Sequence, residues 1–206
     1  MKNNRYQIKI TLKGMRPPIW RRLLISADCT MDALHCAIQW TMGWQDCHLY
    51  AFRTQDRCIE IPDPDNMWDS GWSNSPKPEA AAEVRLRNVV RPGDKITYEY
   101  DFGDGWMHDI LIEKEIESDD ITVRKAVCLK GKRACPPEDC GGIWGYQNLL
   151  ELLSTPKQER DKNEQAFVEW AGDDWDAEAF EQDAVNRTLK HWSPDLKSFM
   201  YAGICG

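Results

Sequence analysis

Residues 96–112 carry the pattern that most restricts the fold, because apolar and polar side chains alternate along two segments joined by a tight turn. The apolar series are Ile96, Tyr98, Tyr100, Phe102 and then Trp106, His108, Ile110, Ile112. Alternation with a period of two is typical of a half-buried β-strand. Gly103-Asp104-Gly105 separates the two series with residues that tolerate a positive φ. The pattern predicts a β-hairpin in which His108 points in the same direction as the apolar residues.

The rest of the chain places strands before helices. Alternation predicts strands over residues 6–12, 19–25 and 121–129, and a short hairpin over 48–54 and 57–61. Thr30 is a suitable N-cap for a helix through Met42, and three further helices are predicted over 146–153, around Phe167 and Trp170, and over 176–191. Strands followed by helices indicate the α+β class. We expect one domain over 1–206, with a twisted, mainly antiparallel sheet packed against helices and a helical C-terminal part at about 143–192.

Residues 62–82 interrupt this order with a stretch rich in Pro, Asp, Asn and Ser. Such composition predicts a surface loop or a mobile insertion. Trp68 and Trp72 lie within it, and we expect both to fold back onto the body of the protein, since an exposed Trp is costly without a partner.

Bulk composition limits the class of protein. The chain has 206 residues, 42% of them hydrophobic, which is enough to build a core. The sequence contains no apolar run of the ~20 residues needed to span a bilayer, and its start lacks the apolar segment of a secretory signal. We therefore expect a cytoplasmic protein without membrane contact, whose eight Cys stay reduced or bind metal.

Charge is unevenly distributed along the chain. The net charge of -8 disfavours general nucleic-acid binding, yet residues 1–25 carry seven Lys and Arg and no acid. Within this basic edge, Arg16, Arg21 and Arg22 could contact phosphate while Trp20 stacks on a base. The alternative is that Trp20 fills the core and the Arg stems cover it. A protein partner fits the acidic body better than a nucleic acid does.

One cluster has the residue types of a metal site. Zinc prefers thiolate and imidazole ligands, usually four in a structural site. Cys128, Cys135 and Cys140 lie in one strand–loop segment, His108 lies one hairpin away, and His48 is a further candidate. The spacing matches no standard zinc motif, so the alternative is that these Cys pack beneath a rigid loop while His108 is a core residue. Zinc is the cofactor that this set would bind.

A second group has the residue types of acid–base chemistry. Its candidate catalytic residues are His108, Asp101, Asp104, Glu138 and Asp139. Carboxylates and an imidazole in one pocket could transfer protons, and the same oxygens would suit magnesium or manganese. The alternative for Asp104 is a role in the Asp-Gly turn. The sequence shows no nucleophile elbow, P-loop or dinucleotide fingerprint.

Several short strings occur in an order that resembles a known family. They are Pro17-Pro18-Ile19-Trp20-Arg21-Arg22, Gly43-Trp44, His48-Leu49-Tyr50-Ala51-Phe52, Tyr100-Asp101-Phe102-Gly103-Asp104, Cys135-Pro136-Pro137-Glu138-Asp139-Cys140-Gly141-Gly142 and Gly145-Tyr146. Together they resemble the plasmid pRiA4b ORF-3-like family over roughly residues 5–190. The resemblance implies an α+β fold and no established activity, and some relatives are labelled as passenger proteins of mobile elements.

Three functional classes follow from these observations. The first is a binding or accessory protein, with a structural metal site and a link to plasmids or mobile elements, rather than an enzyme. The second is a metal-dependent enzyme, hydrolytic or nucleic-acid-processing, that uses His108 and the neighbouring carboxylates. The third is a nucleic-acid-binding accessory protein that uses the N-terminal basic edge.

Overall fold

The computed structural model describes residues 3–61, 77–118, 125–172 and 175–199. Its strands are β1 (Asn3–Leu12), β2 (Trp20–Ser26), β3 (Tyr50–Arg53), β4 (Cys58–Glu60), β5 (Glu79–Ala80), β6 (Lys95–Tyr100), β7 (Trp106–Ser118) and β8 (Val127–Lys132). Its α-helices are α1 (Met31–Met42), α2 (Gly142–Ser154), α3 (Lys162–Ala171) and α4 (Gln182–Leu189). Most of the predicted loop 62–82, including Trp68 and Trp72, lies outside the described residues, as does the start of the predicted strand 121–129.

The strands form one sheet in the order β5-β4-β3-β6-β7-β1-β2-β8. Every pair is antiparallel except the short β4–β5 pair. The α+β class and the mainly antiparallel sheet are therefore confirmed. None of the helices in the described ranges is both long and apolar enough to cross a membrane.

The hairpin predicted over residues 96–112 forms the middle of the sheet. Strands β6 and β7 pair with Tyr98 opposite His108 and Tyr100 opposite Trp106. All four side chains are fully buried on the core face. On its other edge β7 pairs with β1 along almost its whole length. The buried direction predicted for His108 matches the structure.

Helix α1 packs against the core face of this sheet. The Thr30 Oγ1 accepts a hydrogen bond from Ala33 N at 2.9 Å, and Gly43 ends the helix with φ 92°, a conformation that favours glycine. Every residue of the helix except Trp40 is buried, so it needs cover on the side away from the sheet. The C-terminal segment supplies that cover, and the Trp192 indole donates to the carbonyl of Ala33 at 2.7 Å.

The edge of the sheet at β8 is closed by side chains of α4. Asn186 accepts a hydrogen bond from Cys128 N at 2.8 Å and donates to the Cys128 carbonyl at 3.0 Å. Gln182 donates to the same carbonyl at 3.1 Å. The Asn186 amide thus replaces the partner strand that an exposed edge would otherwise attract.

The C-terminal helices differ from the prediction in where they start. Helix α2 begins at Gly142 rather than Tyr146, and α4 begins at Gln182 rather than at 176. The backbone before α4 is held by a neighbouring segment, since Ala134 N donates to the Ala177 carbonyl at 3.0 Å. Arg133 Nε also donates to Glu178 at 2.6 Å. These bonds from outside the segment compete with the helix, so the prediction of a helix over all of 176–191 was wrong at its start.

Replacing Asn186 with Ala tests the closure of the β8 edge. The variant leaves the buried N–H and carbonyl of Cys128 without this amide, which we expect to reduce the free energy of unfolding by about 1–3 kcal/mol. Ala is a better helix former than Asn by a few tenths of a kcal/mol, so the measured loss of stability underestimates the contribution of the two hydrogen bonds. Urea denaturation measures it, with exposed Arg187→Ala on the same helix as the control. Equal stability of the two variants would contradict the role of Asn186.

Candidate functional site

The structure brings together His48, Asp101 and Asp139 from three separate loops. His48 lies just before β3, and Asp101 follows β6 directly. Tyr50 pairs with Tyr100 in the β3–β6 ladder, so the start of one strand adjoins the end of the other. Asp139 lies in the loop between β8 and α2. Sheet register therefore places His48 beside Asp101, and the third loop is brought to both.

The side chains of these three residues form a compact cluster. His48 Nε2 lies 3.0 Å from Asp139 Oδ1 and 3.8 Å from Asp101 Oδ2. One ligand atom from each residue lies within 4.8 Å of the others. The side chains of His48, Asp101 and Asp139 are 32%, 13% and 65% exposed, so the cluster opens to solvent on the side of Asp139.

Backbone conformation aims the two carboxylates. Asp101 and Asp139 have φ of 54° and 59°, in the left-handed region that is uncommon outside glycine. Asp101 Oδ1 accepts a hydrogen bond from Gly103 N at 2.9 Å, which leaves Oδ2 directed towards His48. Non-glycine residues held in this region concentrate at functional sites. Both carboxylates of the cluster have this feature.

Asp104 brings the third loop into place and lies outside the cluster. Its Oδ2 accepts a hydrogen bond from Gly141 N at 3.2 Å. At Gly142, where φ is 66°, an added Cβ would lie 2.3 Å from the Asp104 carbonyl oxygen. Close backbone contact of this kind requires glycine. The Asp-Gly turn of the central hairpin therefore also anchors the start of α2, next to Asp139.

Glu138, next to Asp139, is held by hydrogen bonds to both of its carboxylate oxygens. One of its carboxylate oxygens accepts a hydrogen bond from the Tyr100 hydroxyl, and the other accepts one from Gln45 N at 2.8 Å. Burial, together with the neighbouring Glu138 carboxylate, raises the pKa of Tyr100, which therefore stays a hydrogen-bond donor. Glu138 was a candidate catalytic residue, and in the structure it connects the loop of Asp139 to the sheet.

His108, the central residue of two sequence hypotheses, lies in the core. Its Nδ1 is 2.9 Å from the Trp106 carbonyl and so carries the proton, while Nε2 is buried and without a partner among the described residues. Burial lowers the pKa of His108 to about 4. Among the described residues, His108 does not come together with any of the candidate carboxylates in a group that could hold a metal ion.

The three Cys of the predicted zinc set are buried free thiols. Burial raises the pKa of Cys128 and raises those of Cys135 and Cys140 to about 12, and zinc binds the thiolate form. Over the described ranges, the ligand atoms that meet as a group of three belong to His48, Asp101 and Asp139. Zinc at His108, Cys128, Cys135 and Cys140 stays a prediction.

The basic edge is largely engaged within the protein. Arg21 is 2% exposed and directs its donors to backbone carbonyls, while Arg22 binds both carboxylate oxygens of Glu113 at 2.7 Å. Arg22 and Lys9 also lie over the Trp20 ring, at 5.3 and 5.1 Å from its centroid. Arg16 is exposed. Two of the three arginines therefore already have intramolecular partners.

Sequence reasoning missed a buried polar network beneath the loop of His48. His35 Nε2 donates to Asp46 Oδ1 at 2.6 Å, and its Nδ1 is 2.8 Å from the Tyr98 hydroxyl. The His35 ring also stacks on Tyr50, with centroids 3.7 Å apart. Asp46, at φ 60°, lies two residues before His48. An acid two residues after the helix-ending Gly43-Trp44 was the available signal.

The fold and this cluster define an α+β protein with a histidine–carboxylate site beside its central hairpin. The chain belongs to the family described as plasmid pRiA4b ORF-3-like protein, which matches residues 4–184. It is similar to the uncharacterized protein y4hQ of Sinorhizobium fredii, with 34% identity over 186 residues and 89% of each chain covered. The crystal structure of a protein of unknown function, MM3350 from Methanosarcina mazei Go1, has a TM-score of 0.76, with 31% identity over 89% of this chain and 97% of that one.

The buried neutral His108 predicts a pH dependence of stability. Its pKa is about 4 in the folded protein against 6.5 in an unfolded chain, so the unfolded state binds more protons between these values. The contribution of neutral His108 is complete above pH 6.5 and is lost as pH falls towards 4. We expect a loss of about 2 kcal/mol between pH 7 and pH 5. Urea denaturation at both values measures it, and His108→Gln should lack this part of the pH dependence.

Nuclear magnetic resonance gives a check that does not depend on the variant folding. The ¹⁵N shifts of the His108 imidazole should remain those of a neutral ring with the proton on Nδ1 at pH 5. A charged imidazolium at that pH would contradict the assignment.

Proposed function

We propose that this protein is divalent-cation-dependent and holds the ion with His48, Asp101 and Asp139. The observation that carries the proposal is the meeting of three ligand atoms within 4.8 Å at an open surface. This is a different ligand set from the thiol-rich one. It combines His48, a further candidate in the zinc hypothesis, with two of the candidate catalytic carboxylates.

The donor atoms indicate which ions suit the site. One imidazole nitrogen and two carboxylate oxygens are a set that Zn²⁺ or Mn²⁺ accepts. Three protein ligands leave coordination positions for water and for an anionic substrate, as in catalytic rather than structural zinc sites. A bound ion of this kind lowers the pKa of its water and polarises a phosphoryl or carbonyl oxygen. Metal-dependent hydrolysis is therefore the reaction class that we propose.

Preorganisation supports the proposal over a fortuitous surface ion pair. The Asp101 carboxylate is oriented by Gly103 N, and the loop of Asp139 is held through Glu138 and through Gly141. An ion pair between His48 and Asp139 would contribute little at this exposure. Two Asp in left-handed backbone are a costly way to build such a pair. The conformation is better accounted for by a ligand that needs both carboxylates.

Metal titration tests the site directly. We expect purified, chelator-treated protein to bind one equivalent of Zn²⁺ or Mn²⁺ by isothermal titration calorimetry. His48→Ala removes a ligand and Asp139→Asn removes the charge of one, so each should weaken binding at least tenfold, on the order of the loss from disturbing a metal shell. His191→Ala and Asp183→Asn are matched controls, because both are exposed and lie outside the cluster. Affinity unchanged in both site variants would contradict the proposal.

The reaction class has its own measurement. The metal-loaded protein should hydrolyse bis(p-nitrophenyl) phosphate, and Asp139→Asn should abolish the turnover while the control variants keep it. Metal binding with no turnover of this activated ester would overturn hydrolysis and leave a cation-binding role.

A second candidate function is the binding of a protein partner through Trp144. This side chain is 83% exposed on the first turn of α2, and Phe102 beside Asp101 is 46% exposed. Large exposed aromatic side chains are enriched at protein interfaces. Phe102 follows Asp101 and Trp144 lies five residues after Asp139, which supports a contact surface near the proposed metal site.

Replacing Trp144 with Ser separates binding from stability. We expect the free energy of unfolding to change by less than about 0.5 kcal/mol, since the side chain is mostly in solvent. Cross-linking in cell extract should lose a partner with this variant and keep it with Trp170→Ser, whose side chain is 52% exposed on α3. Recovery of the same partners with the unmodified protein, Trp144→Ser and Trp170→Ser would count against this role.

A further inference from the structure

A cleft of about 420 Å³ is lined in part by the Cys135–Cys140 loop, and none of the three residues of the metal cluster lines it. Its walls are the end of α1 (residues 40–43), the loop 134–138, and the C-terminal positions 171, 175, 179–181 and 184–185. Pockets for small ligands occupy roughly 300–1,000 Å³ and combine apolar walls with a few polar groups. The size of this cleft falls in that range.

Arg21 is the cationic side chain among the residues that line the cleft. Its Nε donates to the Thr41 carbonyl at 2.8 Å, and Nη1 donates to the carbonyls of Trp20 and Lys132 at 2.9 and 3.1 Å. These three bonds use three of the five N–H donors of a guanidinium. The two donors on Nη2 have no hydrogen-bond partner in the described part of the chain. Arg21 therefore lines the cleft with two N–H donors that are available to a ligand.

The charge of Arg21 also has no carboxylate partner among the described residues. Over the described ranges, no carboxylate oxygen lies within 4.0 Å of its guanidinium, although the residue is only 2% exposed. Cys135 lies close by, but burial raises the pKa of its thiol to about 12, so it supplies no negative charge. Buried charges are normally paired, because the loss of hydration is otherwise costly. An anion in the cleft would provide the missing partner.

The walls around this charge are aromatic. The Phe180 ring lies 4.4 Å from the guanidinium carbon of Arg21, and Trp40 and Trp175 are half-buried. Aromatic walls favour a flat apolar body. Such a body would complete the burial of these rings.

Two carboxylates limit how much negative charge the cleft accepts. Both oxygens of Glu138 are already engaged, by the Tyr100 hydroxyl and by Gln45 N. Glu181 is exposed where it lines the cleft. Neither pairs with Arg21, and both would repel a second acidic group. The balance favours a single negative charge next to Arg21.

We propose that this cleft is a binding site for a small monoanionic organic acid with a planar apolar body. The carboxylate accepts hydrogen bonds from Arg21 Nη2, and the body lies among Trp40, Trp175 and Phe180. This role differs from the contact with nucleic-acid phosphate considered for Arg21 from the sequence, because the side chain is buried at the wall of a cleft and is not on the protein surface. The proposal does not depend on the metal cluster.

Three probes of one shape and different charge test the site. They are 1-naphthylacetate, the neutral 1-naphthylacetamide and the cationic 1-naphthylmethylamine, each titrated by calorimetry into the full chain at neutral pH. We expect the acetate to bind at one site and the amide to bind at least about tenfold more weakly, because a charge-assisted pair is replaced by a neutral one. The amine should show no binding. Equal binding of acetate and amide would overturn the proposal.

Variants locate the binding in the cleft without relying on the buried Arg21. Ala184→Phe on α4 places a ring in the cleft and should abolish acetate binding, while Thr188→Phe places the same ring at an exposed position outside the cleft and should leave it unchanged. Circular dichroism and Tm confirm that both variants fold. His48→Ala should also leave acetate binding unchanged, which separates this result from the metal titration. Acetate binding that persists in Ala184→Phe would contradict the site.

Discussion

The short contact between His35 and Asp46 is the interaction on which the rest of the structure depends. It joins α1 to the loop that leads into β3, with a separation of 2.6 Å in the core. Tyr98 connects the other side of the imidazole to the sheet, and Ser198 Oγ donates to the same Asp46 oxygen at 2.8 Å. A buried charge of this kind is tolerated because several hydrogen bonds satisfy it together. Helix, sheet and C-terminal segment therefore meet at one carboxylate.

This buried network explains how an exposed loop can carry a well-oriented ligand. Asp46 N donates to Gln39 Oε1 at 3.1 Å, and Cys47 N donates to the Tyr100 hydroxyl at 3.1 Å. The backbone just before His48 is therefore fixed by the core. Side chains supported in this way lose little conformational freedom when they bind a ligand. Removing the Asp46 carboxylate would disturb the position of His48 without touching the site itself.

Much of the fold could be predicted because it depends on local patterns. The alternation around Gly103-Asp104-Gly105 identified the central hairpin and the buried side of His108, and Thr30 and Gly43 identified the limits of α1. These signals lie within a few residues of the elements that they define. The family resemblance drew on motifs spread along the chain and was confirmed over residues 4–184.

The sequence could identify candidate residues of the site but could not predict that these three residues come together. His48, Asp101 and Asp139 were each considered, yet their meeting depends on which loops the sheet register brings together. Register between distant strands is a property of the whole sheet and has no local signal. The prediction of where α4 starts failed for the same reason, since the segment before this helix is held by a hydrogen bond between Ala134 and Ala177. Non-local contacts therefore explain why neither the assembly of the site nor the start of α4 could be predicted from the sequence.

Arg21 is a cationic neighbour of the Cys135–Cys140 loop. Its guanidinium lies near Cys128 and Cys135, where a divalent cation would be repelled and where burial keeps the thiols protonated. At the Asp139 end of the same loop, the carboxylates of Asp101 and Asp139 meet His48 and would attract a cation, with Asp139 the most exposed of the three. Since Glu138 lines the cleft and Asp139 lies in the cluster, adjacent residues of one loop serve the two environments. A buried cation near one part of the loop and carboxylates at another would give this single loop both the anion site and the cation site that we propose.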